Sequence, residues 1–190
     1  MKPIVVSDIL AVGEVPSPEQ MEILAKAGFR SVLNNQPDSE VERLPGNAVL
    51  AEAARACGLA YAYAPLASRT PDAAELAVYA EALKRLPGPI YGFCYSGARS
   101  AAGCALLLTE TMEPDAIVAQ FAAADFDISS LKPWLDDERA RRYVPASRQT
   151  PVHGGRGLEQ PQVQVAVTAP QALQGIVVHA RAMGFGGFAM

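Results

Sequence analysis

Short apolar runs alternate along this chain with stretches whose apolar residues recur at helical spacing. Residues 4–6 and 9–12 are β-branched or apolar and read as a strand or strand pair. Pro16-Ser17-Pro18-Glu19 then sets a helix start: Ser17 can cap, Pro18 suits the first helical position, and acids follow. That helix carries Met21, Leu24 and Ala25 on one face and stops at Gly28. A second strand is expected over 29–33, ended by the turn formers Asn34-Asn35-Gln36-Pro37-Asp38 at the sheet's carboxyl edge. Asn47 is expected to cap a helix over 48–57 that Gly58 ends, and 59–66 to form a third strand. Thr70 with Pro71 marks the start of a helix reaching residue 86. Behind the breaker Pro87-Gly88-Pro89, the run from Ile90 has the length of a buried strand, and the Ala- and Leu-rich 100–109 reads as a helix. Further helices are expected over 113–123 and 131–143, the last with Arg139, Arg141 and Arg142 suited to its C-terminal dipole. Strand–helix alternation of this kind implies an α/β fold: a mostly parallel central sheet flanked by helices.

Composition bounds the rest. The 190 residues suit one domain with an appendage, and with half of them hydrophobic a sizeable core is expected. From 144 to 162 Pro, Gly, Gln and Ser dominate, so the domain is placed at 1–143 and a linker with a short C-terminal extension of unknown role at 144–190. A net charge of −4 argues against nucleic acid or an anionic membrane surface as partner. Three cysteines without C-x-x-C spacing suit free thiols in a reducing compartment, and the first residues lack the h-region of a signal peptide, so a cytoplasmic location is expected. Only two histidines, His153 and His179, both late in the chain, argue against a His-based metal site; neither metal nor cofactor is expected.

The chemistry-bearing stretch is Cys94-Tyr95-Ser96-Gly97-Ala98-Arg99-Ser100. It puts a cysteine at the carboxyl end of a strand, facing the amino end of a helix, where open α/β sheets place their ligands. A helix N-terminus offers unpaired N–H groups and partial positive charge, which together with Arg99 favour thiolate over thiol. Gly97 lets the loop curl with its amides inward, as an anion nest. Cys94 and Arg99 are the catalytic candidates; Tyr95, Ser96, Gly97, Ala98 and Ser100 are the substrate-binding candidates. The bland alternative is a structural cysteine on a strand–turn–helix.

The loop resembles the active loop of rhodanese-type sulfurtransferases, and also that of cysteine-dependent phosphatases, whose loop is one residue longer than the four residues between Cys94 and Arg99 here. More of the chain carries a resemblance. Pro18-Glu19, Ala27-Gly28-Phe29-Arg30-Ser31-Val32, Gly58-Leu59-Ala60-Tyr61, Leu86-Pro87-Gly88-Pro89, the loop itself and Phe126-Asp127-Ile128-Ser129-Ser130-Leu131 look like the beta-lactamase-hydrolase-like, protein-phosphatase-like domain family, also described as sulfur transferases. The resemblance spans residues 5–140. It implies a dual-specificity-phosphatase-like fold, often joined to sulfide- or persulfide-handling enzymes.

A phosphatase needs a thiolate, an arginine on the phosphate oxygens and a general acid. The resemblance places that acid on the loop after the preceding strand, here Pro65-Leu66-Ala67-Ser68-Arg69, which holds no carboxylate. Asp72 and Asp38 are the substitutes, each with a bland role as helix or turn former. Phe93 stands where the family of phosphatases has a histidine. A general acid is worth about 10² to 10⁴ in rate, so the expected activity is sulfur transfer: Cys94 takes a sulfane sulfur as a persulfide from a small anionic donor and passes it to a thiol acceptor. Ser100 either supports the cysteine or caps the next helix. A cysteinyl-phosphate phosphatase and a non-catalytic anion- or protein-binding module are the alternatives. Cys57 and Cys104 are expected to be buried apolar groups rather than partners of Cys94.

Overall fold

The structure, a computed structural model, describes residues 3–40 and 44–142. The expected linker and extension at 144–190 lie outside the described residues. In chain order the elements are β1 (Ile4–Ser7), β2 (Leu10–Glu14), α1 (Gln20–Lys26), β3 (Ser31–Asn34), a 3₁₀ turn (Asp38–Glu40), α2 (Asn47–Ala56), β4 (Ala60–Tyr63), α3 (Ala73–Arg85), β5 (Ile90–Cys94), α4 (Ala98–Leu108), α5 (Pro114–Ala123), a second 3₁₀ turn (Ser129–Leu131) and α6 (Lys132–Arg142). The sheet order is β1-β2-β5-β3-β4. Only the β1–β2 hairpin is antiparallel; β2, β5, β3 and β4 run parallel, as the strand–helix alternation requires.

Side chains of period two divide the core between the two faces of this sheet. Leu10, Val12, Leu33 and Ile90 join residues of α3, α4, α5 and α6 in one cluster. Ala11, Val32, Tyr91 and Phe93 join Met21 and Leu24 of α1 and Leu50 and Ala54 of α2 in the other. α4 is buried from Ser100 through Leu108, which its nearly all-apolar sequence demands. Gly103 allows this helix to lie close against α3: a Cβ there would stand 3.1 Å from Leu66 and 3.2 Å from Tyr79.

Several boundaries differ from the sequence expectation, each for a visible reason. α1 begins at Gln20, because the Ser17 hydroxyl donates to Glu19 Oε2 (2.6 Å) instead of capping. β3 begins at Ser31, since the Phe29 amide is held by the Leu24 carbonyl at the end of α1. Asn47 is the first residue of α2, not its cap; its Oδ1 accepts from the Tyr61 hydroxyl (2.8 Å). β4 ends at Tyr63, although Ala64 and Leu66 still donate to the carbonyls of Asn34 and Asn35 across Pro65. The cap of α3 is Asp72, two residues beyond Thr70, in a reciprocal capping box with Glu75. No helix among the described residues is long and apolar enough to cross a membrane.

Candidate functional site

Strand β5 is central, with β2 on one side and β3 on the other. It ends on Cys94, where the chain turns into α4. Gly97 takes the left-handed conformation at the N-cap of α4 (φ 84°, ψ −15°), a conformation open to glycine at little cost. It also has no room for a side chain: a Cβ would stand 3.0 Å from the backbone of Gly13, at the end of β2. Gly13 is in turn pressed by Tyr91, whose hydroxyl donates to the Glu14 carbonyl (2.8 Å). Two glycines and a tyrosine therefore set how tightly the loop folds over the strand ends.

Cys94 is nearly sealed, 1% exposed as a residue, yet it lines a pocket of about 560 Å³ together with Tyr95, Ser96, Ala98 and Arg99 of its own loop and Glu40, Ala67, Ser68 and Arg69 from across the sheet edge. The Arg99 amide N–H donates to Cys94 Sγ at 3.4 Å, a helix-N-terminal donor on the sulfur. Tyr95 stands at the mouth, 66% exposed. Gly97 and Ser100 do not line the pocket. Ser100 neither supports the sulfur nor caps α4: its hydroxyl is fully buried and donates to Asn35 Oδ1 (2.7 Å).

Sequence reasoning passed over two residues. The first is Asn35, which appeared only as one of a row of turn formers. Its amide donates to the Phe93 carbonyl (2.7 Å), its Nδ2 to the Ala64 carbonyl (2.8 Å), and its Oδ1 accepts from Ser100. It thus ties the ends of β3, β4, β5 and α4 together. The signal in the sequence was three amide side chains in a row directly after an apolar strand; the structure buries all three, and buried polar groups need partners.

The second is Glu40. Its carboxylate grips Arg99 in a fork, Nη1 to Oε1 and Nη2 to Oε2, both 2.7 Å. Nη1 also donates to the Leu66 carbonyl (3.1 Å) and Nη2 to Gln36 Oε1 (3.1 Å), while Gln36 Nε2 donates to Glu40. The Arg99 side chain is left only 12% exposed. Its hydrogen bonds hold the Glu40 carboxyl below the usual carboxylate range, and Glu40 in return raises the guanidinium above its ordinary value. Nothing in the sequence linked residues 40 and 99; their meeting follows from the strand order.

The two aspartates considered as acids are engaged elsewhere. Asp72 caps α3, and Asp38 Oδ1 accepts from the Asn47 amide (2.8 Å). Phe93 is buried on the other face, stacked on Tyr91 with ring centroids 6.2 Å apart. Cys104 lies inside the core, and burial pushes its thiol up to about 12. Cys57 is half-buried at the end of α2, beside neither of the others. Among the described residues no cluster of His, Cys, Asp and Glu is arranged to hold a metal ion.

Residues 4–109 match the family model of the beta-lactamase hydrolase-like protein, phosphatase-like domain. A beta-lactamase hydrolase-like protein of Xylella fastidiosa is 30% identical over 137 residues, 71% of this chain and 32% of the relative. One of Agrobacterium fabrum is 25% identical over 149 residues, 74% of this chain and 33% of the relative. The chain thus spans about a third of the length of the curated relatives it matches. Among solved structures, a candidate phosphatase of Neisseria meningitidis superposes with a TM-score of 0.65 at 20% identity, covering 72% of this chain and 97% of that one. Kinase-associated phosphatase, solved with its catalytic-site cysteine replaced by serine, gives 0.58 at 19% identity, covering 75% and 97%. These likenesses identify the fold as that of the dual-specificity and tyrosine phosphatases.

Proposed function

We propose that this chain, which belongs to the phosphatase-like domain family of the beta-lactamase hydrolase-like proteins, is a cysteine-based hydrolase acting on a phosphoryl group. The observation that carries the reading is Cys94 Sγ on the pocket floor with the Arg99 amide donating to it. Kinship supports the choice of group: a neighbour of the same fold is a phosphatase with a catalytic-site cysteine. In the first step Cys94 sulfur attacks phosphorus, an S–P bond forms and the leaving oxygen departs with its electron pair. In the second, water attacks phosphorus, inorganic phosphate leaves and the thiol is restored.

The site restricts which phosphoryl donors react. Glu40, the carboxylate that lines the pocket, is ionised and committed to Arg99. With no other carboxyl group among the described pocket residues to protonate the leaving oxygen, donors whose leaving group departs as a stable anion are favoured. Turnover of an aryl phosphate is expected, with kcat/KM falling at least about 10³-fold in Cys94→Ser. No turnover by the wild-type chain, or equal turnover by the variant, overturns this reading.

Sulfur transfer is a second reading, favoured by the same missing acid and by a loop one residue shorter than in the phosphatases. There Cys94 thiolate attacks the outer sulfur of a donor such as thiosulfate, an S–S bond forms and sulfite leaves. A thiol acceptor then attacks that sulfur and carries it off as its own persulfide, restoring Cys94. Intact mass after exposure to thiosulfate distinguishes the two: this reading requires the mass of one sulfur atom added at Cys94. A sulfide- or persulfide-handling enzyme is then the natural partner.

A further inference from the structure

Strand β2 ends where the nucleophile loop begins. Its register with β5 runs from Leu10 beside Ile90 to Glu14 beside Cys94, and β5 leaves the sheet at that point. Tyr91 stands beside Ala11 and is fully buried. Its side chain runs up β2 through the space that Gly13 leaves open, and its hydroxyl donates to the Glu14 carbonyl (2.8 Å). A Cβ at Gly13 would fall on that hydroxyl and on the ring behind it. Burial, with Glu14 and Cys94 adding to it, pushes the Tyr91 hydroxyl up, so it keeps its proton and remains a donor. The Gly97 turn rests on the same Gly13 backbone, with no space for a Cβ between them. The Gly97 carbonyl then accepts from the Ala101 amide (2.9 Å), opening the α4 ladder. Just beyond, the Arg99 amide donates to Cys94 Sγ (3.4 Å), and the Arg99 side chain meets the Cys94 side chain as well.

We infer that Tyr91 is a positioning residue for the nucleophile: its hydroxyl fixes the end of β2 on which the Gly97 turn rests, and thereby the direction of the donors on Cys94 Sγ. The inference rests on the reading of Cys94 as the nucleophile, and it holds for either group taken up, phosphoryl or sulfur. Close packing passes a displacement from one group to the next, because neither glycine has a side chain to absorb it. The hydroxyl, not the ring, is the part that acts. Tyr91 meets Phe29 edge to face (ring centroids 5.6 Å apart) and stacks on Phe93 (6.2 Å), and a phenyl ring would keep both contacts. Only the hydroxyl reaches the Glu14 carbonyl, where it stands in for a ladder bond beyond the last strand pair, at the level where β5 has turned into the loop.

Alkylation of Cys94 by iodoacetamide, followed by peptide mass in the full chain, reads the loop without any turnover, so its outcome stands apart from that of the aryl phosphate assay. Tyr91→Phe removes one hydroxyl; Glu14 is exposed, so water can take over its carbonyl, and the urea midpoint is expected to stay close to wild type. Cys94 alkylation should nevertheless slow about fivefold, the equilibrium scale of one neutral hydrogen bond, while the half-buried Cys57 in the same sample reacts at its wild-type rate. Gly13→Ala should slow Cys94 further. Adding Tyr91→Phe to Gly13→Ala makes room for the new Cβ, so the double variant should react faster than Gly13→Ala alone. Unchanged or faster alkylation of Cys94 in Tyr91→Phe, or a slowing shared by Cys57, overturns the inference, as does a double variant whose losses multiply; the nucleophile reading survives each of these. A wild-type Cys94 that iodoacetamide leaves unmodified sinks the nucleophile reading and the inference together.

Discussion

The pocket has two sides built on opposite plans. The wall consists of Cys94 at the end of β5 and Arg99 in the first turn of α4, backed by Ser100, and its polar groups are partnered: the Arg99 amide on Cys94 Sγ, the Arg99 guanidinium on Glu40, Gln36 and the Leu66 carbonyl, and Ser100 on Asn35. The rim consists of Tyr95 and the 67–69 loop, exposed and lightly bonded. A wall of satisfied hydrogen bonds holds a reacting atom in one place, because each donor already has its direction set. A rim with free side chains can follow a ligand.

Changes in the wall should act on stability first, and the largest effect is expected at Asn35. Asn35→Ala removes the acceptor of the buried Ser100 hydroxyl and the donor to the Ala64 carbonyl. A loss of about 3 kcal/mol is expected in urea denaturation, given the cost of buried unpaired groups. A loss under about 1 kcal/mol would show that the wall is not held as its hydrogen bonds imply.

Gly97→Ala comes next. The left-handed backbone at Gly97 costs a β-carbon about 1–2 kcal/mol, and that carbon would meet the Gly13 backbone at 3.0 Å. Denaturation should show a loss of about 2 kcal/mol, with slower alkylation at Cys94 as the loop shifts. A neutral outcome would mean the loop is looser than its glycine indicates.

A smaller effect is expected where wall meets rim, at Glu40. Its carboxyl is held below the usual value, chiefly by hydrogen bonds from Arg99. A depressed folded-state pKa stabilises the protein above the unfolded value of 4.5, and that contribution is lost as pH falls through the lower folded value. With the Glu40 side chain 41% exposed, the contribution is under about 1 kcal/mol. Wild type should therefore exceed Glu40→Gln slightly in denaturation at neutral pH, and the two should converge in strong acid. A difference that grows on acidification would assign Glu40 the opposite role. At Arg69, by contrast, truncation should leave stability within about 0.5 kcal/mol.

The α/β class, the order of strands and helices, and the cysteine at a strand end were all legible in the sequence. They depend on short-range patterns: apolar runs of strand length, helical spacing, and the glycines and prolines between them. The C-x4-R loop was legible for the same reason, since its parts lie within one turn of chain. What the tertiary structure decided was which distant groups meet that loop. Glu40 reaches Arg99, and Asn35 reaches Ser100, because β3 pairs directly with β5 in the sheet order β1-β2-β5-β3-β4. Strand order is set by packing both faces of the sheet at once, and no local pattern in the chain encodes it.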